Sequence, residues 1–164
     1  MALDDIRAFL LLQDGAATSG MPWPEHFREI ADAGFRTVIN LALPTSDNAL
    51  PNEADLVTRA GMTYVHIPVL FDAPKRSDFE KFEKVLNAVR DQPVFVHCAA
   101  NMRVSAFMYL YRIRAGQIAR DLAEADLRKI WEPDATWGRF ITAILEDAPS
   151  KSQAVQVSSA KTRL

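Results

Sequence analysis

Residues 93–105 read Pro-Val-Phe-Val-His-Cys-Ala-Ala-Asn-Met-Arg-Val-Ser, and this stretch decides the fold. Its apolar first half predicts a buried strand, and a helix is expected to begin just after Cys98, the only cysteine in 164 residues. Backbone N–H groups at the start of a helix point at one spot, and the helix dipole favours negative charge there. The same field favours the thiolate, which is the reactive form of cysteine. The segment therefore predicts a phosphate site with a nucleophile, and Arg103 is placed to hold an oxyanion.

The composition is that of an ordinary globular protein. Hydrophobic residues make up 49% of the chain, charged residues 24%, and the formal net charge is −2. This balance gives no electrostatic reason to expect nucleic acid or a membrane surface as a partner. No uncharged apolar stretch approaches the roughly 18 residues of a spanning helix, and the amino terminus lacks the basic start of a signal peptide. A single cysteine cannot form an internal disulfide, so we expect a reducing, cytoplasmic location.

Hydrophobic periodicity predicts alternating strands and helices. Strands are expected at residues 8–13, 37–41, 63–67 and 94–96. Helices are expected from about residue 22 to 34, at 53–60, from a Ser77-Asp78 cap onward, from the cysteine loop to about 115, at 120–131 and at 134–145. This order indicates an α/β fold with a mainly parallel central sheet flanked by helices and a helical C-terminal third. We expect one domain over residues 1–148 and a disordered tail over 149–164.

The cysteine segment resembles the active-site loop of cysteine-dependent protein tyrosine and dual-specificity phosphatases. Their pattern is His-Cys, two residues, Gly, two residues, Arg, Ser/Thr; here His97-Cys98 matches, and Asn101 stands at the glycine position. Asn readily adopts positive φ, which that position requires. Only four residues separate Cys98 from Arg103, where the family has five. Either one loop residue is missing and the arginine is retained, or Ser105 matches the Ser/Thr and Val104 occupies the arginine's place.

The resemblance extends to segments around the loop. Residues 17–20, 33–41 and 61–69 are similar to the small bacterial dual-specificity-like phosphatases, and the match covers roughly residues 6–116. It implies a dual-specificity-phosphatase-like fold. These flanking motifs encode mostly strands and turns, so they bear on fold more than on activity.

The resemblance also implies roles for residues of the loop. Cys98 would attack phosphorus to give a cysteinyl-phosphate, and water would then hydrolyse it. The phosphate-binding loop would comprise Ala99, Ala100, Asn101, Met102 and Arg103. His97 would orient the loop and help keep the thiol ionised, and Ser105 would donate to the sulfur. The substrate would be a phosphorylated protein, such as one carrying phosphotyrosine, or a phosphorylated small molecule.

A general acid must protonate the leaving oxygen. Asp72 lies 26 residues before Cys98, in a predicted loop where the family keeps its acid. Asp78 is the competitor, although it is better placed to cap a helix. His26 and His66 show no ligand spacing, so no metal site is expected, and no nucleotide loop or other cofactor motif is present in the sequence.

Two other functions stay open on the sequence alone. Rhodanese-like sulfurtransferases carry a cysteine loop one residue shorter than that of phosphatases, and the segment from Cys98 to Arg103 has that shorter length. A catalytically inactive module that binds a phosphorylated partner is the other alternative, since a shortened loop can lose catalysis while it keeps the fold.

Overall fold

A five-stranded sheet runs through the centre of the protein, for which a computed structural model describes residues 1–147. The strands are β1 (Leu10–Leu11), β2 (Ala17–Ser19), β3 (Thr37–Asn40), β4 (Thr63–His66) and β5 (Val94–His97). Their order across the sheet is β1-β2-β5-β3-β4. The edge strand β1 pairs antiparallel with β2, and the other neighbours pair in parallel. The predicted mainly parallel sheet is thus confirmed, with β5 at its centre.

Helices cover both faces of this sheet. They are α1 (His26–Asp32), α2 (Glu53–Arg59), α3 (Arg76–Ala88), α4 (Met102–Arg114), α5 (Arg120–Ile130) and α6 (Ala135–Glu146), after a short 3-10 helix at Leu3–Asp5. The last three form the predicted helical C-terminal third. None of the helices within residues 1–147 combines the length and the hydrophobicity needed to cross a membrane.

Alternation along the strands produces two apolar cores. Val38 and Phe95 face the core under α1 and α2, whereas Ile39, Val94 and Val96 face the larger core under the other helices. Every residue of β3 and β5 is buried, which explains why the apolar residues of each strand are consecutive and do not alternate with polar ones.

An aromatic cluster holds α4 against its neighbours. The ring of Phe107 lies edge-on to those of Phe79 and Phe82, with both centroid separations 5.4 Å, and 6.0 Å from the ring of Trp137. These side chains come from α3, α4 and α6 and are almost completely buried. Because α4 begins directly after the cysteine loop, this packing fixes the helix that supports the site.

Several predicted boundaries are wrong in ways the local structure explains. The edge strand is shorter than residues 8–13, and it cannot begin at Ala8 because that residue has φ 52°, which an extended strand does not contain. The first helix begins at His26 and not near residue 22, since residues 24–25 form a turn before it. Strand β2 has no counterpart among the predicted strands. The predicted tail at 149–164 lies outside the described residues.

The predicted cap of α3 is also wrong. This helix begins at Arg76, and its N-cap residue, Lys75, makes no side-chain capping bond. Asp78 lies inside the first turn, where a carboxylate is stabilised by the helix dipole. By contrast, Asp134 does cap α6: its Oδ1 accepts a 2.9 Å hydrogen bond from the backbone N of Trp137.

Candidate active site

The cysteine loop connects β5, which ends at His97, with α4, which begins at Met102. Cys98 is 1% exposed, and its backbone N donates to the carbonyl of Ser19 across 3.2 Å. The cysteine thus lies at the carboxyl end of the central strand, where ligands bind in parallel sheets. The predicted strand-to-helix junction is confirmed.

Asn101 adopts the left-handed conformation that its position in the family pattern predicts, with φ 67°. Its side chain is buried, and Nδ2 donates to the carbonyl of Ala8 (2.8 Å) and to Oγ1 of Thr18 (3.0 Å). Asn therefore serves where glycine is usual, because it tolerates this backbone and also anchors the loop to two distant segments.

A second set of contacts fixes the peptide that follows Cys98. The carbonyl of Ala99 accepts from the backbone N of Met21 (3.3 Å) and from Nδ2 of Asn48 (3.1 Å). Gly20 approaches so closely that an added Cβ would lie 2.9 Å from this carbonyl oxygen. Since the N–H of Ala100 belongs to the same trans peptide, it points to the opposite side.

Unpaired amides surround the start of α4. Within residues 1–147, no acceptor takes the backbone N–H of Ala99 or Ala100, nor those of the first helical turn, Met102, Arg103 and Val104. A helix of 13 residues adds the partial positive charge of its N-terminus to these donors. The loop is therefore suited to hold an anion with several oxygens.

Arg103 is buried and turned inward, with 6% of its surface exposed. Its Nη1 donates to the carbonyl of Val69 across 2.9 Å, in the loop between β4 and α3. Val104 packs in the apolar core. Retention of Arg103 as the anion-binding arginine therefore stays a prediction, and Val104 presents no group to an anion.

Ser105 does not make the contact with sulfur that the resemblance implies. Its hydroxyl donates to the carbonyl of Met102 (2.9 Å) and accepts from Nε1 of Trp131 (3.1 Å). No hydrogen bond joins it to Cys98 among the described residues. Ser105 thus ties the first turn of α4 to the residue that follows α5.

The two candidate acids lie in different surroundings. Asp72 is exposed in the loop between β4 and α3, three residues after the Val69 carbonyl that Arg103 binds. The adjacent carbonyl of Phe71 accepts from Nε1 of Trp137 across 2.8 Å, so the chain is anchored immediately before the aspartate. Asp78 is in the first turn of α3, and its Oδ1 lies 3.9 Å from Nζ of Lys81.

His97 contacts a residue that sequence reasoning missed. Its Nε2 is in contact with Oε1 of Glu53, the first residue of α2, and both side chains are almost fully buried. Nδ1 of the same ring lies 3.4 Å from the carbonyl of Cys98. A glutamate at the start of a helix is normally expected to be exposed to solvent, and nothing in the sequence indicates that Glu53 is buried.

The remaining histidines make structural contacts. Nδ1 of His26 accepts from the backbone N of Trp23 (3.1 Å), and Nε2 of His66 bonds the carbonyl of Ala42 (2.7 Å). Among residues 1–147, no three His, Cys, Asp or Glu side chains are grouped so as to hold a metal ion.

Comparison with known proteins identifies the family. Residues 15–136 match the family described as a DSP-PTPase phosphatase fused to NAD+ kinase. The chain belongs to this phosphatase family. The matched range contains the cysteine loop and the strands that surround it. The resemblance inferred from the sequence is therefore confirmed.

Known relatives agree with this assignment. A crystal structure of a candidate phosphatase from Shewanella putrefaciens CN-32 is 34% identical, with a TM-score of 0.78, over 87% of this chain and 92% of that one. The structure of PTPMT1 in complex with PI(5)P covers 85% of this chain and 96% of that one, with 15% identity and a TM-score of 0.73. This likeness shows the shared fold alone.

A curated relative is much longer. The β-lactamase hydrolase-like protein of Xylella fastidiosa (strain Temecula1) is 29% identical over 117 residues, which are 70% of this chain and 27% of that protein. The chain thus spans about a quarter of the length of the curated relatives it matches.

Proposed function

We propose that the protein hydrolyses phosphomonoesters through a cysteinyl-phosphate formed on Cys98. The observation that carries this proposal is the position of the cysteine beside unpaired amides at the N-terminus of α4. A phosphoryl group bound there would present three oxygens to donors already held in place, so little reorganisation would accompany the reaction. The thiol chemistry needs a reducing compartment, which fits a cytoplasmic location.

Arg103 would supply the charged part of this site. One of its nitrogens, Nη1, holds the carbonyl of Val69, and its other N–H groups have no acceptor within the described residues. They would bind the phosphoryl oxygens with charge-assisted hydrogen bonds. The bond to Val69 would also keep the loop that carries Asp72 next to the cysteine.

The reaction would proceed in two displacements. The Cys98 thiolate attacks phosphorus, the ester P–O bond breaks, and Asp72 gives its proton to the leaving oxygen. Water then attacks the phosphorus of the cysteinyl-phosphate while the Asp72 carboxylate takes a proton from it. The S–P bond breaks, and this step releases inorganic phosphate and restores the thiolate.

The substrate would be a phosphorylated protein or a phosphorylated small molecule. Lys75 is exposed near Asp72 and is available to attract an anionic substrate. Arg76 is engaged elsewhere, because its Nη2 contacts the carboxylate of Asp147 and donates to the carbonyl of Ala143. One exposed lysine beside Asp72 suits a compact phosphomonoester better than a polyanion.

The first experiment is p-nitrophenyl phosphate hydrolysis between pH 5 and 8. We expect Cys98→Ser to abolish turnover and Asp72→Asn to reduce it most where protonation of the leaving group limits the rate. Asp78→Asn is the matched control and should retain activity, since that carboxylate lies in a helical turn beside Lys81. Activity that survives in Cys98→Ser would refute the mechanism.

A folded wild-type protein that does not hydrolyse p-nitrophenyl phosphate would also refute the proposal. Thiocyanate formation from thiosulfate and cyanide would then indicate sulfur transfer, and tight tungstate binding without turnover would indicate a binding module. Arg103→Lys tests the phosphate contact separately: we expect a loss of about 10–100-fold in kcat/KM, since a point charge cannot replace the guanidinium fork. Unchanged kcat/KM would show that Arg103 does not reach the phosphate.

A further inference from the structure

Glu53 is a buried carboxylate that the reaction above leaves without a role. It is 3% exposed, although charged side chains are rarely buried unless they are paired. Its Oε1 contacts Nε2 of His97, and its Oε2 accepts from Nδ2 of Asn40 (2.9 Å) and from the hydroxyl of Tyr64 (3.3 Å). Both oxygens are therefore used inside the protein, by side chains of the three neighbouring strands β5, β3 and β4.

The ring of His97 lies between two acceptors. Nε2 faces the Glu53 carboxylate, and Nδ1 faces the carbonyl of Cys98 at 3.4 Å. A neutral imidazole donates from only one nitrogen, so it would leave one of these acceptors facing a lone pair. Both contacts are satisfied when the ring carries two protons. A buried imidazolium then requires a countercharge, and Glu53 provides it.

We propose that Glu53 is a positioning residue that holds His97 in its doubly protonated form, so that the ring fixes the Cys98 carbonyl and places positive charge beside the thiol. This inference rests on the proposed function of Cys98 as a nucleophile. Glu53 would touch no substrate. It would act only through His97, by keeping the thiolate favoured and the loop oriented.

The surroundings of the pair contain no competing charge among the contacts described. The strand neighbours that pair with His97 are Ser19 on β2 and Asn40 on β3, and neither is charged. Tyr64 donates from β4, and the ring of His66 is stacked on it with a centroid separation of 6.0 Å. Burial, together with the nearby Glu53 charge, raises the pKa of Tyr64 to about 12, so the hydroxyl remains a donor.

The hydrogen bonds of Asn40 also support a positioning role for Glu53. Its Oδ1 accepts from the backbone N of Ala42 (2.7 Å) while Nδ2 donates to Glu53, so the amide is oriented from both sides. Asn40 and Tyr64 together hold the carboxylate in one orientation. A carboxylate held this firmly serves to orient another group, here the imidazole.

The test measures alkylation of Cys98 by iodoacetamide between pH 5 and 9. Because the chain contains one cysteine, mass spectrometry of the intact protein reports this thiol alone, and the result does not depend on turnover. We expect Glu53→Gln to slow alkylation at pH 6 by about tenfold, as for loss of a neighbouring charge, and to leave the rate at pH 9 unchanged. Glu80→Gln, the same chemical change at an exposed position on α3, should leave the whole profile unchanged.

A double-mutant cycle separates this role from a structural one. If Glu53 acts through His97, the pair Glu53→Gln and His97→Asn should slow alkylation at pH 6 no more than His97→Asn alone. Additive effects or an equal loss at every pH would each overturn the inference. If p-nitrophenyl phosphate is not hydrolysed but the alkylation profiles behave as expected, the proposed reaction fails and the role of Glu53 stands.

Discussion

Asn101 provides a sharp test of how the cysteine loop is held together. Two substitutions separate its backbone from its side chain. Asn101→Gly keeps a residue that is free to adopt φ 67° but removes the bonds to Ala8 and Thr18. Asn101→Ala removes the same bonds and also places a Cβ in the left-handed region.

The expected magnitudes follow from these contacts. Each lost hydrogen bond costs about 0.5–1.5 kcal/mol net. The left-handed conformation adds about 1–2 kcal/mol for a residue such as Ala. We therefore expect Asn101→Gly to lower the free energy of unfolding by about 1–3 kcal/mol, and Asn101→Ala by about 1–2 kcal/mol more.

Thermal unfolding and urea denaturation, measured separately, check this order of stability of the two variants. A difference of about 1 kcal/mol corresponds to about 2–4 °C in Tm for a protein of this size. The alanine variant should therefore melt about 2–8 °C below the glycine variant. The Thr18→Val variant is a control that removes one side-chain bond and leaves the φ of residue 101 alone. An alanine variant as stable as the glycine variant would refute the argument from backbone conformation.

Three further outcomes are expected. Gly20→Ala should destabilise the fold by about 1–3 kcal/mol and displace the loop, since the new Cβ would meet the backbone oxygen of Ala99 at 2.9 Å. Differential scanning calorimetry would show this loss as a lower Tm, and an unchanged Tm would contradict the prediction. Burial raises the pKa of Asp126, but hydrogen bonds from Lys129 and Arg112 outweigh it and hold that pKa below its usual value. Asp126→Asn should therefore lower the urea midpoint at pH 7, and the difference should shrink as the pH falls below about 4; a difference independent of pH would contradict this. The pKa of Tyr64 is raised from 10.0 to about 12, so its hydroxyl stabilises the fold below pH 10, and the advantage over Tyr64→Phe should disappear as the pH rises toward 12, as followed by circular dichroism.

Most of the fold follows from local patterns in the sequence. The sequence signals here are local: the apolar run at residues 94–96, the buried face of α3, and the positive-φ glycines that follow helices at positions 34, 61 and 116. For this reason β3, β4, β5 and most helices are predicted closely. Strand β2 is missed because Ala17–Ser19 consists of small residues without an apolar run, and it is a strand only because it pairs with β1 and β5. Its assignment depends on tertiary pairing.

The candidate site divides in the same way. The left-handed Asn101 is predictable, since only a few residue types tolerate that backbone. The burial of Glu53 and the bond from Arg103 to Val69 are not, because each joins segments that are far apart in the sequence. The hydrogen bond expected from Ser105 to sulfur is replaced by one to Met102, a choice that depends on the orientation of one hydroxyl in the first turn of α4.

The long separations within the site have a consequence for how it forms. Asn101 bonds a residue 93 positions away, Asn48 reaches a loop carbonyl across 51 positions, and Glu53 meets His97 across 44. Each such contact closes a long chain loop, so none forms before the sheet is assembled, and nonlocal contacts of this kind form slowly. During refolding, recovery of the anion site should therefore coincide with the last cooperative step. The site reports on the completion of folding, and a fragment carrying only the cysteine loop and α4 would not reproduce it.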